Sequence, residues 1–194
     1  MSSHGHQGAG AKPARESAAR VGDLERTLTE SPTPKKVCHK LAQILHVRRN
    51  EVALLRSEKG SLKFIYPFEL RAAGVIPLSG SSVAARTAST RTSFLSNSFI
   101  RVKHVSLFES VKLGIAEDRE DSEQMPIQKI MSVPITETNG NVVGVVQVSR
   151  KGLDAVLAGA DFTGEDLKQL EQAAEILARA PFMQDGAPLG DDAS

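Results

Sequence analysis

The segment KIMSVPITETNGNVVGVVQVSR, residues 129–150, constrains the fold of this chain more than any other stretch. Two runs rich in β-branched residues flank Asn139-Gly140, a dipeptide that readily adopts the positive φ angles of a tight turn. Gly144 in the second run predicts a point where a neighbouring backbone or a ligand comes close to the strand. The segment therefore predicts a long antiparallel β-hairpin.

The elements before this hairpin alternate between helical and extended patterns. Thr33 is suited to cap a first helix, and a glycine-containing turn at 58–60 between two apolar runs predicts another hairpin. The small residues of 77–90 predict a second helix, with Ser79 and Ser81 among its candidate capping residues. A short strand follows, with the sequence TSFLS.

The chain then becomes irregular before the long hairpin and closes with a helix. Apolar positions within 97–128 predict short helices, and the acidic run at 116–125 predicts a mobile loop. Thr163 and Asp166 have the spacing of a capping box at the start of the closing helix. This order predicts an α/β (α+β) fold with an antiparallel sheet and two long helices on one face.

We divide the chain into three parts. Residues 1–32 are expected to form a flexible tail plus a helical N-terminal extension, residues 33–181 the domain, and residues 182–194 a flexible C-terminal tail. The extension, at 14–30, carries a thin apolar stripe with no evident partner in the domain: Ala18, Val21, Leu24 and Leu28. Because so narrow a stripe needs a partner, we expect a homodimer through this segment and the first and last helices of the domain.

Composition excludes several classes of protein. With 40% apolar residues, the chain can bury one substantial core. No apolar run approaches the roughly 18 residues of a membrane span, and the N-terminus lacks the apolar centre of a signal peptide. We therefore expect a cytoplasmic protein without a membrane partner. A single cysteine, Cys38, excludes an internal disulfide and any mechanism that needs a second thiol in the chain.

Charge is divided unevenly along the chain. Residues 1–115 carry a formal charge of +10 and residues 116–194 a charge of −9, so the two halves should attract each other. The basic residues are scattered among only seven Phe and one Tyr. Because single-stranded nucleic acids are bound by basic grooves lined with aromatic side chains, we expect no nucleic-acid partner.

Two stretches of the sequence resemble a GAF domain. The first is IPLSGSSVAARTASTRTSFLSN, and the second runs from the long hairpin to FTGEDLKQLEQAAEILA, so that the resemblance extends from about Thr33 to Ala180. The resemblance implies first and last helices on one face of the sheet and short helices over a pocket on the other. It also implies a regulatory function, since GAF modules bind cyclic nucleotides, bilins, haem or small metabolites. Few of them are enzymes, and many dimerise through helices.

Cyclic-nucleotide-binding GAF domains resemble one another in an Asn-Lys pair after the last long strand, followed by Phe, three residues, Asp and Glu. The matching positions in this chain are Arg150, Lys151, Phe162, Asp166 and Leu167. Arginine replaces Asn and leucine replaces Glu, which argues against cyclic-nucleotide binding. Lys151, Phe162 and Asp166 then remain as a structural remnant of the motif, in which Lys151 and Asp166 hold the strand end to the last helix.

Other GAF cofactors place different demands on the chain. Bilin attachment uses a cysteine near the pocket, whereas Cys38 is on the first helix, so covalent bilin is not expected. The members that reduce methionine sulfoxide need several cysteines. His39 and His46 lie about 10 Å apart along a helix, too far to share a metal. We therefore expect no metal site, and the cofactor stays unidentified.

The resemblance places the ligand pocket between the irregular segment and the late strands. Phe99 and Phe108 are candidates to sandwich a planar ligand, and His104 in the pocket roof is a candidate iron ligand or hydrogen-bond partner. Ser132 and Gln147 are the candidate polar contacts below the ligand. The alternative is that both Phe side chains close the core and that His104 is a surface residue.

Two hypotheses of function remain open at this stage. The first is a non-enzymatic sensor that binds an unidentified small ligand and acts in trans on an unidentified signalling protein. The second is a GAF-like scaffold with a closed pocket, which acts only in dimerisation or partner binding. No nucleophile, acid–base or phosphate-binding motif argues for catalysis, although a few GAF relatives are enzymes.

We predict that the protein does not bind cyclic AMP or cyclic GMP at micromolar concentrations, because Arg150 and Leu167 replace two polar residues of the nucleotide motif. Isothermal titration calorimetry with each nucleotide measures this directly. Saturable heat with one-to-one stoichiometry for either nucleotide would contradict the prediction.

Overall fold

A computed structural model of the chain describes residues 11–30, 32–99 and 125–188, with side chains from Val21 onward. Four helices are described: α1 (Ala11–Glu30), α2 (Pro34–Ile44), α3 (Val83–Thr90) and α4 (Gly164–Leu177). Six strands are described: β1 (Val52–Glu58), β2 (Ser61–Tyr66), β3 (Val75–Pro77), β4 (Phe94–Ser96), β5 (Ile127–Thr136) and β6 (Val142–Lys151). Short 3-10 helices occupy Arg49–Glu51, Phe68–Ala73 and Pro181–Met183. In the described part of the chain, no helix has the length and apolar character that crossing a membrane requires.

The six strands form one antiparallel sheet in the order β3-β2-β1-β6-β5-β4. Both predicted hairpins are confirmed. The β5–β6 turn contains Gly140 at φ 88°, and the Asn139 side-chain oxygen accepts a 2.8 Å hydrogen bond from the amide of Asn141. At the β1–β2 turn, Lys59 and Gly60 have φ angles of 46° and 78°, which is the geometry that suits the twist of a two-residue hairpin.

One face of the sheet is covered by α2 and α4, which confirms the predicted position of the first and last helices of the domain, and α1 packs on these two helices. Alternate strand residues such as Leu54, Met131 and Val146 point to this face because successive side chains in a strand point in opposite directions. They pack with helix residues including Leu41 and Leu170 in the larger core of the protein.

The other face of the sheet carries α3. Ala84, Ala85 and Ala88 of this helix pack on strand residues that include Leu55 and Val145. Small side chains let the helix axis lie close to the sheet, so α3 is held by a compact second core.

The start of α3 differs by one residue from the expected cap. The hydroxyl of Ser82, rather than that of Ser79 or Ser81, accepts a 3.0 Å hydrogen bond from the amide of Ala85. The capping box of α4 is confirmed: Asp166 accepts from the amide of Thr163 at 2.7 Å, and the Thr163 hydroxyl accepts from the amide of Asp166 at 3.1 Å.

The expectation that the stripe at 14–30 has no partner within the domain is wrong. Leu24 is fully buried in the larger core, and Val21 and Leu28 are packed against it. The helix is also tied to its neighbours by charge, through Asp23 to Lys40 at 3.5 Å and through Glu25 to Arg179 at 3.0 Å. The stripe therefore no longer provides a reason to expect a dimer.

The prediction that a flexible tail begins at residue 182 is wrong at its first two residues. Phe182 and Met183 are buried in the larger core. The buried guanidinium of Arg56 donates to the carbonyl of Phe182 at 3.0 Å and to that of Ala187 at 2.9 Å. Ordered structure thus continues past the end of α4, while residues 189–194 lie outside the described part of the chain.

We predict that Gly144→Ala destabilises the protein by about 1 to 3 kcal/mol, because overpacking a close contact forces backbone or side-chain shifts. A Cβ at this position would collide with the carbonyl oxygen of Leu55 on the next strand and with the end of the Met183 side chain. Urea unfolding followed by circular dichroism measures the change.

Gly164→Ala is the matched control, since a Cβ at Gly164 meets no atom within 4 Å. Its unfolding free energy should stay within about 0.5 kcal/mol of the parent value. Equal effects of the two substitutions would show that the close approach at Gly144 does not limit the sheet.

Candidate functional site

A buried polar cluster lies between α3 and the middle of the sheet. Ser132 on β5 pairs in register with Gln147 on β6, and both side chains point to the α3 face. The Ser132 hydroxyl oxygen accepts from the Gln147 amide at 3.2 Å and from the Thr87 hydroxyl on α3 at 2.8 Å. Two of the predicted site residues are therefore in contact, and Thr87 joins them to the helix above.

A cleft of about 160 Å³ opens beside this cluster, between α3 and the start of β4. The described residues that line it are mostly hydroxyl-bearing, with one cation and two apolar side chains: Ser81, Val83, Arg86, Thr87, Thr90, Thr92, Ser93 and Phe94. Thr87 belongs both to the cleft and to the buried cluster, so the floor of the cleft is linked to β5 and β6.

The remaining predicted pocket residues divide into two groups. Phe99 is only 2% exposed and packs with Val83 and Ile130, so its ring lies in the core next to the cleft wall rather than among the residues that line the cleft. His104 and Phe108, together with most of the acidic run, lie outside the described residues.

Two residues of the nucleotide-motif remnant, Lys151 at the end of β6 and Asp166 at the start of α4, make structural contacts. The Lys151 ammonium donates to the carbonyl of Asn50 at 3.0 Å, and its amide donates to the carboxylate of Glu51 at 2.7 Å. Asp166 caps α4, as described above. These contacts tie Lys151 to the turn before β1 and Asp166 to its own helix.

Phe162 joins the end of β6 to the start of α4. Its ring is buried, and the guanidinium of Arg150 lies 4.8 Å from the ring centroid. Asn97 holds the Phe162 backbone through two hydrogen bonds of 2.9 Å. The Asn97 side-chain nitrogen donates to the Phe162 carbonyl, and the Asn97 side-chain oxygen accepts from the Phe162 backbone amide. Phe162 therefore has a structural role in this chain.

The single thiol lies on the helical face of the sheet. Cys38 on α2 is completely buried, and burial raises the pKa of its thiol well above the ordinary value because the thiolate would lose its hydration. The reactive thiolate is thus disfavoured. Within the ranges that the structure describes, no group of three or more His, Cys, Asp or Glu residues is arranged to hold a metal ion.

Sequence reasoning missed Arg86 and Thr87. Thr87 lies three residues after Ala84 and one before Ala88, so helical spacing places it on the buried face of α3. A threonine among alanines on that face was a usable signal. Arg86 could not be assigned to the cleft, because its position depends on how β4 folds back beside the helix.

An antiparallel sheet with a helical layer on one face and a polar cleft beside a short helix on the other places the chain in the α+β class of folds. Residues 35–180 match the family model of the GAF domain. The chain belongs to the GAF domain family. No curated protein matches it in sequence.

Solved structures share this fold at low sequence identity. The GAF domain of a phosphoenolpyruvate-protein phosphotransferase from Coxiella burnetii has 12% identity and a TM-score of 0.62, over 86% of this chain and 93% of that one. The corresponding domain from Acinetobacter has 11% identity and a TM-score of 0.61, with 84% and 90% covered. Free methionine-R-sulfoxide reductase from Neisseria meningitidis, in complex with its substrate, has 14% identity and a TM-score of 0.57, with 92% and 95% covered. These similarities establish the fold.

We predict that Ser132→Ala destabilises the protein by about 1 to 3 kcal/mol, because it leaves the Gln147 amide and the Thr87 hydroxyl buried without their shared acceptor. Chemical unfolding measures the loss. Ser149→Ala serves as the control, since this buried serine makes a single 3.3 Å bond to the carbonyl of Glu51. A Ser132 variant no less stable than the Ser149 variant would contradict the importance of the cluster.

Proposed function

We propose that this protein is a non-enzymatic GAF-type sensor or regulatory module that binds a small ligand in the cleft between α3 and β4. The observation that carries the proposal is that Thr87 both lines the cleft and donates a hydrogen bond to the buried Ser132 on β5. A ligand that contacts Thr87 would act on a residue connected to the centre of the sheet. Pockets with a few convergent polar groups are the usual form of small-molecule sites.

The structural neighbours support the use of this fold for ligand binding. The Neisseria reductase was solved with its substrate, and so was the corresponding reductase from Staphylococcus aureus, at 14% identity and a TM-score of 0.54. Their chemistry is not carried over to this chain. Its one thiol, Cys38, is buried and has a raised pKa, which supports a binding function rather than a reductase. A free thiol also suits a reducing compartment, so the cytoplasm remains the proposed location.

The second candidate function is association with another chain, either a second copy or a signalling partner. The observation in its favour is the loop after β6, where Leu153, Val156 and Leu157 are 72%, 86% and 62% exposed. The loop is held in a defined shape: the Asp154 carboxylate accepts from the amides of Val156 and Leu157 at 2.9 and 2.8 Å. Exposed apolar side chains on an ordered loop favour a contact surface. Both functions are compatible, because a sensor must pass its signal to a partner.

A substitution that fills the cleft tests the sensor proposal. We predict that Thr90→Trp prevents the binding of ligands that copurify with the parent protein, because Thr90 lines the cleft and is exposed enough to accept an indole without disturbing the core. An untargeted mass-spectrometric survey of the native protein identifies the copurifying compounds.

The control is Ser89→Trp, which places the same side chain at the neighbouring exposed position outside the cleft lining. This variant should retain the ligand. Retention of the same ligand by both variants, with unchanged folding by circular dichroism, would place the binding site elsewhere.

A further inference from the structure

The described part of the cleft wall contains one charged group. Of the described residues that line it, Arg86 alone carries a charge. Its guanidinium makes no ion pair with any other residue in the described ranges, and the residue is exposed. A guanidinium presents a planar fork of N–H donors that matches the two oxygens of a carboxylate. The charged end of a ligand in this cleft is therefore expected to be an anion.

The hydroxyl groups of the cleft are arranged as acceptors. Four of them already donate their protons within the protein, at 2.6 to 3.1 Å: Thr87 to Ser132, Thr90 to the carbonyl of Arg86, Thr92 to the carbonyl of Thr90, and Ser93 to the Glu171 carboxylate. Each oxygen keeps lone pairs that can accept a further bond. The walls beside Arg86 therefore suit a ligand that itself carries N–H or O–H donors.

The cleft has room for a small ligand. Its volume of about 160 Å³ accommodates on the order of ten water molecules, because one water requires roughly 10 to 15 Å³ in this measure. A compound of on the order of ten non-hydrogen atoms fits such a space. The cleft can therefore accommodate a small metabolite.

We propose that the cleft binds a small hydroxy acid or amino acid, with its carboxylate on Arg86 and its hydroxyl or ammonium group donating to the oxygens of the α3–β4 wall. The proposal rests on the sensor function above and names the class of ligand. The Glu171 carboxylate accepts a hydrogen bond from Ser93 and adds negative charge behind the Ser93 side of the cleft. This carboxylate disfavours a second anionic group there and favours a donor.

Four compounds of nearly the same shape separate the parts of this proposal. L-lactate and L-alanine carry both the carboxylate and a donor, propionate carries only the carboxylate, and L-lactamide carries donors without the charge. Thermal shift and isothermal titration calorimetry on the full chain should show binding of L-lactate, L-alanine or both. Propionate and L-lactamide should bind about tenfold more weakly or worse, since each loses a hydrogen-bonded group of the pair. Comparison of the affinities for L-lactate and L-alanine shows whether the cleft prefers a hydroxy acid or an amino acid.

Substitution of the arginine tests its role. Arg86→Gln should weaken binding of the acid at least about tenfold, and Arg86→Lys, which keeps the charge and loses the planar fork, should give a smaller loss. Arg91→Gln is the matched control, because it removes the same charge just after α3 from a residue outside the cleft lining. It should leave the affinity within about twofold of the parent value.

Three results would overturn the proposed ligand class while leaving the sensor function standing. The first is binding of L-lactamide or propionate as tight as that of L-lactate and L-alanine. The second is equal affinity of the Arg86→Gln variant and the parent protein. The third is no binding by any of the four compounds while Thr90→Trp still removes a copurifying ligand. If Thr90→Trp also has no effect, the proposal that the ligand binds in this cleft fails as well.

Discussion

The alternation of side chains along β5 and β6 is the constraint on which the rest of the structure depends. Met131, Val133 and Val146 point toward the helical face, and Ser132 and Gln147 point toward α3. A slip of one residue in the pairing would place the serine and glutamine in the apolar core. Gly144 helps to fix the pairing of β6 with its other neighbour, β1, because the backbone of Leu55 on β1 passes where a side chain would otherwise be. The register between β5 and β6 thus produces both the apolar face under the helices and the polar cluster on the opposite face.

Helix α3 converts this polar face of the sheet into a cleft. Its alanines bring the helix close to β5 and β6, while Ser82 fixes the start of the helix. Consecutive residues of a helix are rotated by roughly 100° around its axis. Thr87 therefore points to the sheet, and Arg86 lies on the more exposed side of the helix beside β4. One turn of helix supplies both the link to the core and the charge at the cleft.

Local patterns in the sequence were sufficient to predict most of the elements. The Asn139-Gly140 turn, the Thr163–Asp166 capping box and the alanine-rich α3 each depend on neighbouring residues, and all three are present. The partners of α1 could not be inferred from local pattern, because the helix packs on α4, which is far away in the sequence, as well as on the adjacent α2.

The burial of Phe182 could not be inferred from local pattern either. It follows Pro181, which begins a 3-10 helix after the end of α4, and its carbonyl accepts a hydrogen bond from Arg56, which is 126 residues earlier in the chain. The candidate site was predictable only where its signal lies in the local sequence. Ser132 and Gln147 stand out within the apolar hairpin, whereas the cleft itself forms only where α3 and β4 meet.

The cleft is connected to both layers of the protein by short contacts. On one side, Thr87 bonds to Ser132, whose neighbours on β5, Met131 and Val133, pack under the helices of the opposite face. On the other side, Ser93 at the edge of the cleft donates at 2.6 Å to Glu171 on α4. Helix α4 in turn packs against α1. A ligand that displaces Thr87 must therefore break a bond that ends in the sheet, and one that displaces Ser93 must break a bond that ends on α4. Occupancy of the cleft and the position of α4 are thus physically linked through Ser93.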